Sequence, residues 1–155
     1  MNANIELLNY IYQNAEMGKD TIKKLIEVVK DSNNEEFNNF LKSQFNEYKE
    51  IFIEAENLLN SLEKEGKSIN KLQKIEANMM INMKTINGKS PDHISEMLMQ
   101  GSIMGVIQII RRMKQYKNQV SKNIYSLAQK LLDTEQRNLE DCKKFLGEQN
   151  DKVLP

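Results

Sequence analysis

Apolar residues recur along this chain at steps of three and four, over four long stretches and one shorter one. That spacing is the signature of amphipathic helices. The first stretch runs from about residue 4 to about residue 30 and sets Leu8, Ile11, Ala15, Gly18, Ile22, Leu25 and Val29 on one face. Asp31-Ser32-Asn33-Asn34 interrupts it with short polar side chains that suit the N-cap of a second helix. The second helix is expected to reach about residue 64, with Phe37, Leu41, Gln44, Tyr48, Ile51, Ala55, Leu58 and Leu62 along its seam. A shorter helical pattern follows, carried by Leu72, Ile75, Met79 and Met83. Asn87-Gly88-Lys89-Ser90-Pro91-Asp92 is the sharpest break, and Ser90-Pro91 places an N-cap before a proline in the first helical position. The next helix extends to about residue 118, with Ile94, Met97, Leu98, Gly101, Gly105 and Ile109 on one face. The last spans about 121–146 and ends at Gly147, a residue suited to a helix C-terminus.

Long helices of this kind span about 40 Å each. Tight turns near residues 33 and 119 fold them into two antiparallel hairpins. The connector over about 66–90 is too long for a turn, and its helical part could rise roughly 25 Å along the bundle. The expectation is an all-α four-helix bundle with a crossover helix, one domain over 1–147, and a polar tail at 148–155.

Composition narrows the function classes. Basic and acidic residues are equal at 22 each, so no overall field favours nucleic acid or a membrane surface. The longest apolar run, SIMGVIQII, stops at Arg111-Arg112, short of the roughly 18 residues a membrane span needs. MNANIELLNYIYQNAEMG lacks a basic segment followed by an apolar one, so no secretion signal is expected there. A single cysteine, Cys142, gives no disulfide framework and suits a reducing, cytoplasmic setting. It is expected to be a buried, inert thiol. The single histidine, His93, falls in a helix's first turn, and the methionines read as core filling. The basic run RRMKQYK at 111–117 reads as a solvated helix end. No Ser-His-Asp set, P-loop or dinucleotide fingerprint is present.

Glu135 is the residue that does not fit. On a helical wheel the last helix centres its apolar face on Ile124, Ala128, Leu131, Leu132, Glu135, Leu139, Cys142 and Leu146, with Asn138 at the edge. A carboxylate in that stripe is costly to desolvate without a partner. Gln44 and Tyr48 lie near the seam of the second helix, Glu47 at its margin, and Glu16 flanks the first. Two readings stay open for Glu135. It joins a polar cluster with Tyr48, Gln44 or Asn138, or pairs with Arg112; or it ligates a metal. Gly101 and Gly105 permit close helix approach, or leave room beside Glu135.

The order of these residues resembles the ferritin and rubrerythrin superfamily, in which two helices each give a Glu and two others each give Glu-x-x-His. Matched onto this chain, the motif falls on Glu16, on Glu47 with Glu50, on Gln100, and on Glu135 with Asn138. Glu50 and Asn138 stand where the histidines belong, and Gln100 replaces a carboxylate. The resemblance implies a ferritin-like bundle that forms homo-oligomers. Apolar residues on second faces, such as Phe45, Phe52, Met99 and Ile110, fit that oligomer. It also leaves two functions to be separated. One is a non-catalytic binding or assembly scaffold. The other is a protein that binds iron or manganese for redox or storage.

Overall fold

A computed structural model describes residues 2–64 and 90–149. Four α-helices account for most of them: α1 over Ala3–Val28, α2 over Glu35–Lys64, α3 over Pro91–Tyr116 and α4 over Lys122–Cys142. A short 3-10 turn over Lys143–Phe145 follows α4. The expected crossover helix, with Met79, Met80 and Met83, lies outside the described residues.

The starts of α2 and α3 follow the local chemistry anticipated for them, whereas the last α-helix, expected to reach 146, ends at Cys142 and a 3-10 turn leads on to Gly147. The Asn2 side chain accepts from the Asn4 amide at the start of α1. Asn34 Oδ1 accepts from the Phe37 amide at 3.0 Å, and Ser90 Oγ from the His93 amide at 3.2 Å, with Pro91 as the first residue of α3. Each cap satisfies a backbone donor that the helix itself leaves unpaired. Gly147 takes φ +86°, a conformation that other residues adopt only at a cost.

Side-chain contacts fix the directions of the helices. Glu36 at the start of α2 pairs with Lys144 after α4. Glu54, further along α2, pairs with Lys130 nearer the start of α4. Asp92 at the start of α3 binds the same upper end, where its carboxylate accepts from the Gly147 amide at 2.7 Å and its own amide donates to the Glu148 carbonyl at 2.9 Å. At the lower end Asn4 Oδ1 accepts from the Ser121 amide, and the Tyr116 hydroxyl donates to Glu6 at 2.6 Å. Thus α1 and α4 run one way and α2 and α3 the other. Two antiparallel hairpins pack together, with α2 and α3 parallel.

The core is continuous through all four helices. Leu8, Ile11, Leu25, Leu41, Ile51, Ile109 and Leu131 have no solvent exposure, and burying each such side chain is worth roughly 1.5–3 kcal/mol. Phe37, Phe40 and Phe145 close the upper end, with Phe145 centred 5.0 Å from both of the other rings. Near the lower end the Arg112 guanidinium covers the Tyr10 ring at 4.2 Å. Arg112 is therefore engaged with Tyr10, and the basic run is otherwise exposed at Arg111, Lys114 and Lys117.

The buried stripe of α4 is rotated from the one expected. It runs through Ile124, Leu127, Ala128, Leu131, Thr134, Glu135, Asn138 and Cys142. Leu132 and Leu139 are only half-buried, and Leu146 is exposed. The two leucines lie seven residues apart and flank the seam; counted as its centre, they pulled the wheel towards themselves. Asn138 moves from the edge into the core.

Two glycines on facing helices behave differently. A Cβ at Gly18 would come within 2.8 Å of the Tyr48 ring, whereas one at Gly101 would meet nothing within 4 Å. Gly18→Ala gains about 1 kcal/mol of helix propensity but must displace a packed ring, an overpacking cost of about 1–3 kcal/mol. Urea unfolding is expected to show Gly18→Ala less stable than the parent and Gly101→Ala more stable by up to about 1 kcal/mol. Equal stability of the two variants would mean that the Tyr48 ring is not held against α1.

Candidate functional site

Glu135 lies in the middle of α4 and in the middle of the bundle, 3% exposed. Its Oε1 accepts a hydrogen bond from the Tyr48 hydroxyl of α2 at 2.9 Å. Ser102 of α3 adjoins both groups and supports the carboxylate. On the same helix, a Cβ at Gly105 would sit 3.1 Å from the Glu135 carboxyl carbon. The carboxyl therefore packs against bare backbone, and Gly105 leaves room beside Glu135. Gly18 on α1 performs the same service for the Tyr48 ring. Each helix thus gives the cluster either a polar group or a missing side chain.

Beside the cluster is a small cavity of about 50 Å³, lined from all four helices. Its polar lining comes from Asn14, Thr21, Gln44, Tyr48, Ser102 and Glu135, and the rest is apolar or glycine. Asn14 Nδ2 donates to the Tyr10 hydroxyl at 3.3 Å. Gln44 Nε2 lies 3.9 Å from the Cys142 sulfur. Asn138 is buried next to the Tyr48 hydroxyl, but its Nδ2 makes no well-formed hydrogen bond among the described residues.

Burial dominates the electrostatics. Desolvation pushes the Glu135 carboxyl up from its ordinary 4.5 to about 7, although the Tyr48 and Ser102 hydrogen bonds pull it the other way. Among the described residues no cation contributes to that balance. Burial and the adjacent Glu135 charge hold the Tyr48 hydroxyl well above its usual range. Burial likewise pushes the Cys142 thiol up to about 12, which makes it the inert core thiol expected. The cluster holds one group that exchanges a proton near neutrality and no nucleophile poised beside it.

The residues matched to the dinuclear motif do not converge. Glu135 and Asn138 meet at Tyr48. Glu47 is half-buried: its Oε1 pairs with Arg137 at 2.8 Å, while its Oε2 is buried with no hydrogen-bond partner among the described residues. Glu50 is exposed, 3.9 Å from Lys130. Glu16 is half-buried against the Tyr12 hydroxyl of its own helix, and Gln100 is exposed. Among the described residues no three His, Cys, Asp or Glu side chains gather where a metal ion could sit. One interior carboxyl among neutral oxygens does not fit a pair of iron or manganese ions, which need bridging carboxylates.

Asn14, Ser102 and the role of Gly18 were not anticipated as part of this site. Ser102 follows Leu98 and precedes Gly105 and Ile109 at helical steps, and Asn14 sits between Ile11 and Gly18. Periodicity alone therefore places both on buried faces.

The shift of Glu135 fixes the sign of a pH effect. A folded-state value of about 7, above the ordinary 4.5, means that the folded chain holds this proton more tightly than the unfolded chain. Its contribution to stability is complete below pH 4.5 and is lost as pH rises through 7, a change of roughly 3 kcal/mol. Glu135→Gln keeps hydrogen-bonding capacity without the charge. It is expected to flatten this slope, with little effect at pH 5 and about 1–3 kcal/mol of added stability at pH 8. Denaturant melts of both proteins across that range measure the difference; an equally steep slope in the variant would place the titrating group elsewhere.

The chain matches no protein-family model, no curated protein and no solved structure. Its own interior is what bears on function.

Proposed function

We propose that this chain is a ferritin-like bundle that serves as a non-catalytic binding or assembly scaffold, with the polar cluster around Glu135 in place of a dinuclear metal site. The parallel course of α2 and α3 and the two antiparallel hairpins support the ferritin-like assignment. The observation that carries the functional reading is the company Glu135 keeps: a tyrosine hydroxyl, a serine and a glycine backbone, with no cluster of three metal-ligating side chains among the described residues. Redox chemistry on a metal pair would need Glu47 and Gln100 gathered beside Glu135, whereas Glu47 pairs through Oε1 with Arg137 and Gln100 is exposed.

Assembly draws support from the outer face of α3. Ile103, Met104 and Ile107 are 39–45% exposed there, as is Ile53 on α2 at 43%. Phe45, Phe52 and Met99, anticipated as second-face residues, are instead half-buried and packed on the core. With Leu146 beyond α4, the described residues hold five exposed large apolar side chains, a number suited to self-association. Among the described residues no helix is long and apolar enough to cross a membrane.

Anaerobic titration with Fe(II) or Mn(II), followed by thermal melts, tests the metal-free scaffold. No stoichiometric uptake and an unchanged Tm are expected, because a ligand specific for the folded state must raise it. Stoichiometric uptake that disappears in Glu135→Ala would defeat the proposal in favour of the iron or manganese protein. For assembly, light scattering is expected to give a dimer or larger species that Ile107→Lys shifts towards monomer; a monomeric parent would remove the assembly role.

A further inference from the structure

The outward face of α3 has a layout that repeats when the helix is turned end for end. Ser102, Gly105, Ile109 and Met113 are buried in the bundle. The opposite side of the helix carries Glu96, Ile103, Met104, Ile107, Arg111 and Lys114, all exposed. On a helical wheel those six fall within roughly 100° of the circumference. Glu96 precedes Ile103 by seven residues, and Lys114 follows Ile107 by seven. Seven residues are close to two turns, about 10 Å. An acidic and a basic residue therefore stand at equal distances on either side of one apolar turn, and Arg111 adds a second cation at the basic end.

These flanking charges have no counterpart within the bundle. Glu36, Glu47, Glu54 and Glu140 are each set against a cation of this chain. None of Glu96, Arg111 and Lys114 forms an ion pair among the described residues. An apolar turn between two unanswered and opposite charges is suited to a partner whose charges run the other way.

The same surface, reversed, meets that requirement. Two copies laid parallel would put Glu96 on Glu96 and Lys114 on Lys114, which repels at both ends. Laid antiparallel about a two-fold axis beside residue 105, they put Ile103 against Ile107 and Glu96 against Lys114. Each pairing then occurs twice, as an isologous contact requires. Charges flanking an apolar seam set the orientation of coiled-coil helices in the same way. We propose that two copies of this chain pair through the outer faces of α3, antiparallel, with Glu96 of each set against Lys114 of the partner subunit. The inference rests on the assembly role proposed above and gives it a partner and a geometry. A contact confined to one helix face belongs at the small end of the interface range, so the dimer is reversible, with a micromolar Kd.

The experiment is sedimentation velocity of the full chain over a micromolar concentration series in about 0.05 M NaCl, where screening is weak. The parent is expected to dimerise. Glu96→Lys and Lys114→Glu each set like charges together at both ends, and each should weaken the dimer at least about tenfold. Both side chains are exposed, so circular dichroism should show the fold unchanged. The double variant restores both pairs and should recover the parent's affinity. An equimolar mixture of the two single variants should recover it too, as a heterodimer. In about 1 M NaCl the single variants should converge on the parent, and differences that persist there would overturn the charge pairing. A parent dimer that neither single change weakens overturns the α3 contact and leaves assembly to another face. So does a loss that the double variant or the mixture fails to recover. A monomeric parent overturns both this contact and the assembly role, and gives the apolar turn to a partner of another kind.

Discussion

A carboxyl in the centre of a helical bundle, with no cation set against it among the described residues, is the constraint to which the surrounding residues answer. Desolvating such a group is unfavourable by several kcal/mol unless its lone pairs are met or its charge is surrendered. Both remedies operate at Glu135. Tyr48 and Ser102 supply hydrogen bonds, and burial raises the carboxyl to about 7, so that it is often neutral. Neither remedy works without space. Gly105 lets the carboxyl reach the α3 backbone, and Gly18 lets the Tyr48 ring lie flat enough to aim its hydroxyl. Four helices are thereby coupled through one side chain, in the order Gly18, Tyr48, Glu135, Gly105.

That coupling also specifies the axial alignment of the helices. Sliding one hairpin along the other by a turn would part the Tyr48 hydroxyl from the Glu135 carboxyl, and sliding the helices within a hairpin would replace Gly18 or Gly105 with a residue that bears a side chain. The ring or the carboxyl would then lose its seat. Apolar packing alone tolerates such slips more readily, because one buried aliphatic contact resembles the next. The capping contacts at the two ends act in the same sense. Asp92 holds the Gly147-Glu148 segment at the top, and Asn4 holds Ser121 at the bottom.

The fold was legible because helical periodicity is written redundantly. Every residue assigned to the apolar face of α1 is buried or half-buried, and the Ser90-Pro91 start rests on local chemistry that sequence displays directly, although the last α-helix stops at Cys142, short of Gly147. Glu135 was legible for the same reason: an isolated charge in a stripe of leucines stands out at any nearby rotation of the wheel. The finer geometry was not legible. Leu132 and Leu139 carry as much hydrophobic weight as Leu131, so pattern alone could not tell a flank from a centre. Rotating the face by that amount brings Asn138 inside. Nor could spacing show which way Glu47 turns. It sits at the margin of α2, half-buried, and the ion pair that engages its Oε1 needs Arg137 from another helix. A family motif projected from spacing inherits that blindness, since ligand sets depend on side-chain direction more than on sequence order.

The clasp between Asp92 and the Gly147-Glu148 segment has a mechanical consequence. Helix hairpins usually loosen from their open end, where the two termini can splay. In the α3–α4 hairpin that end is tied by two hydrogen bonds, and the turn at the other end is tied to α1 through Asn4. The hairpin is therefore a closed stirrup, stiff against unzipping from either end. Its remaining freedom is lateral, a hinge-like parting along its length from its partner hairpin, and the hollow beside Glu135 lies along that seam.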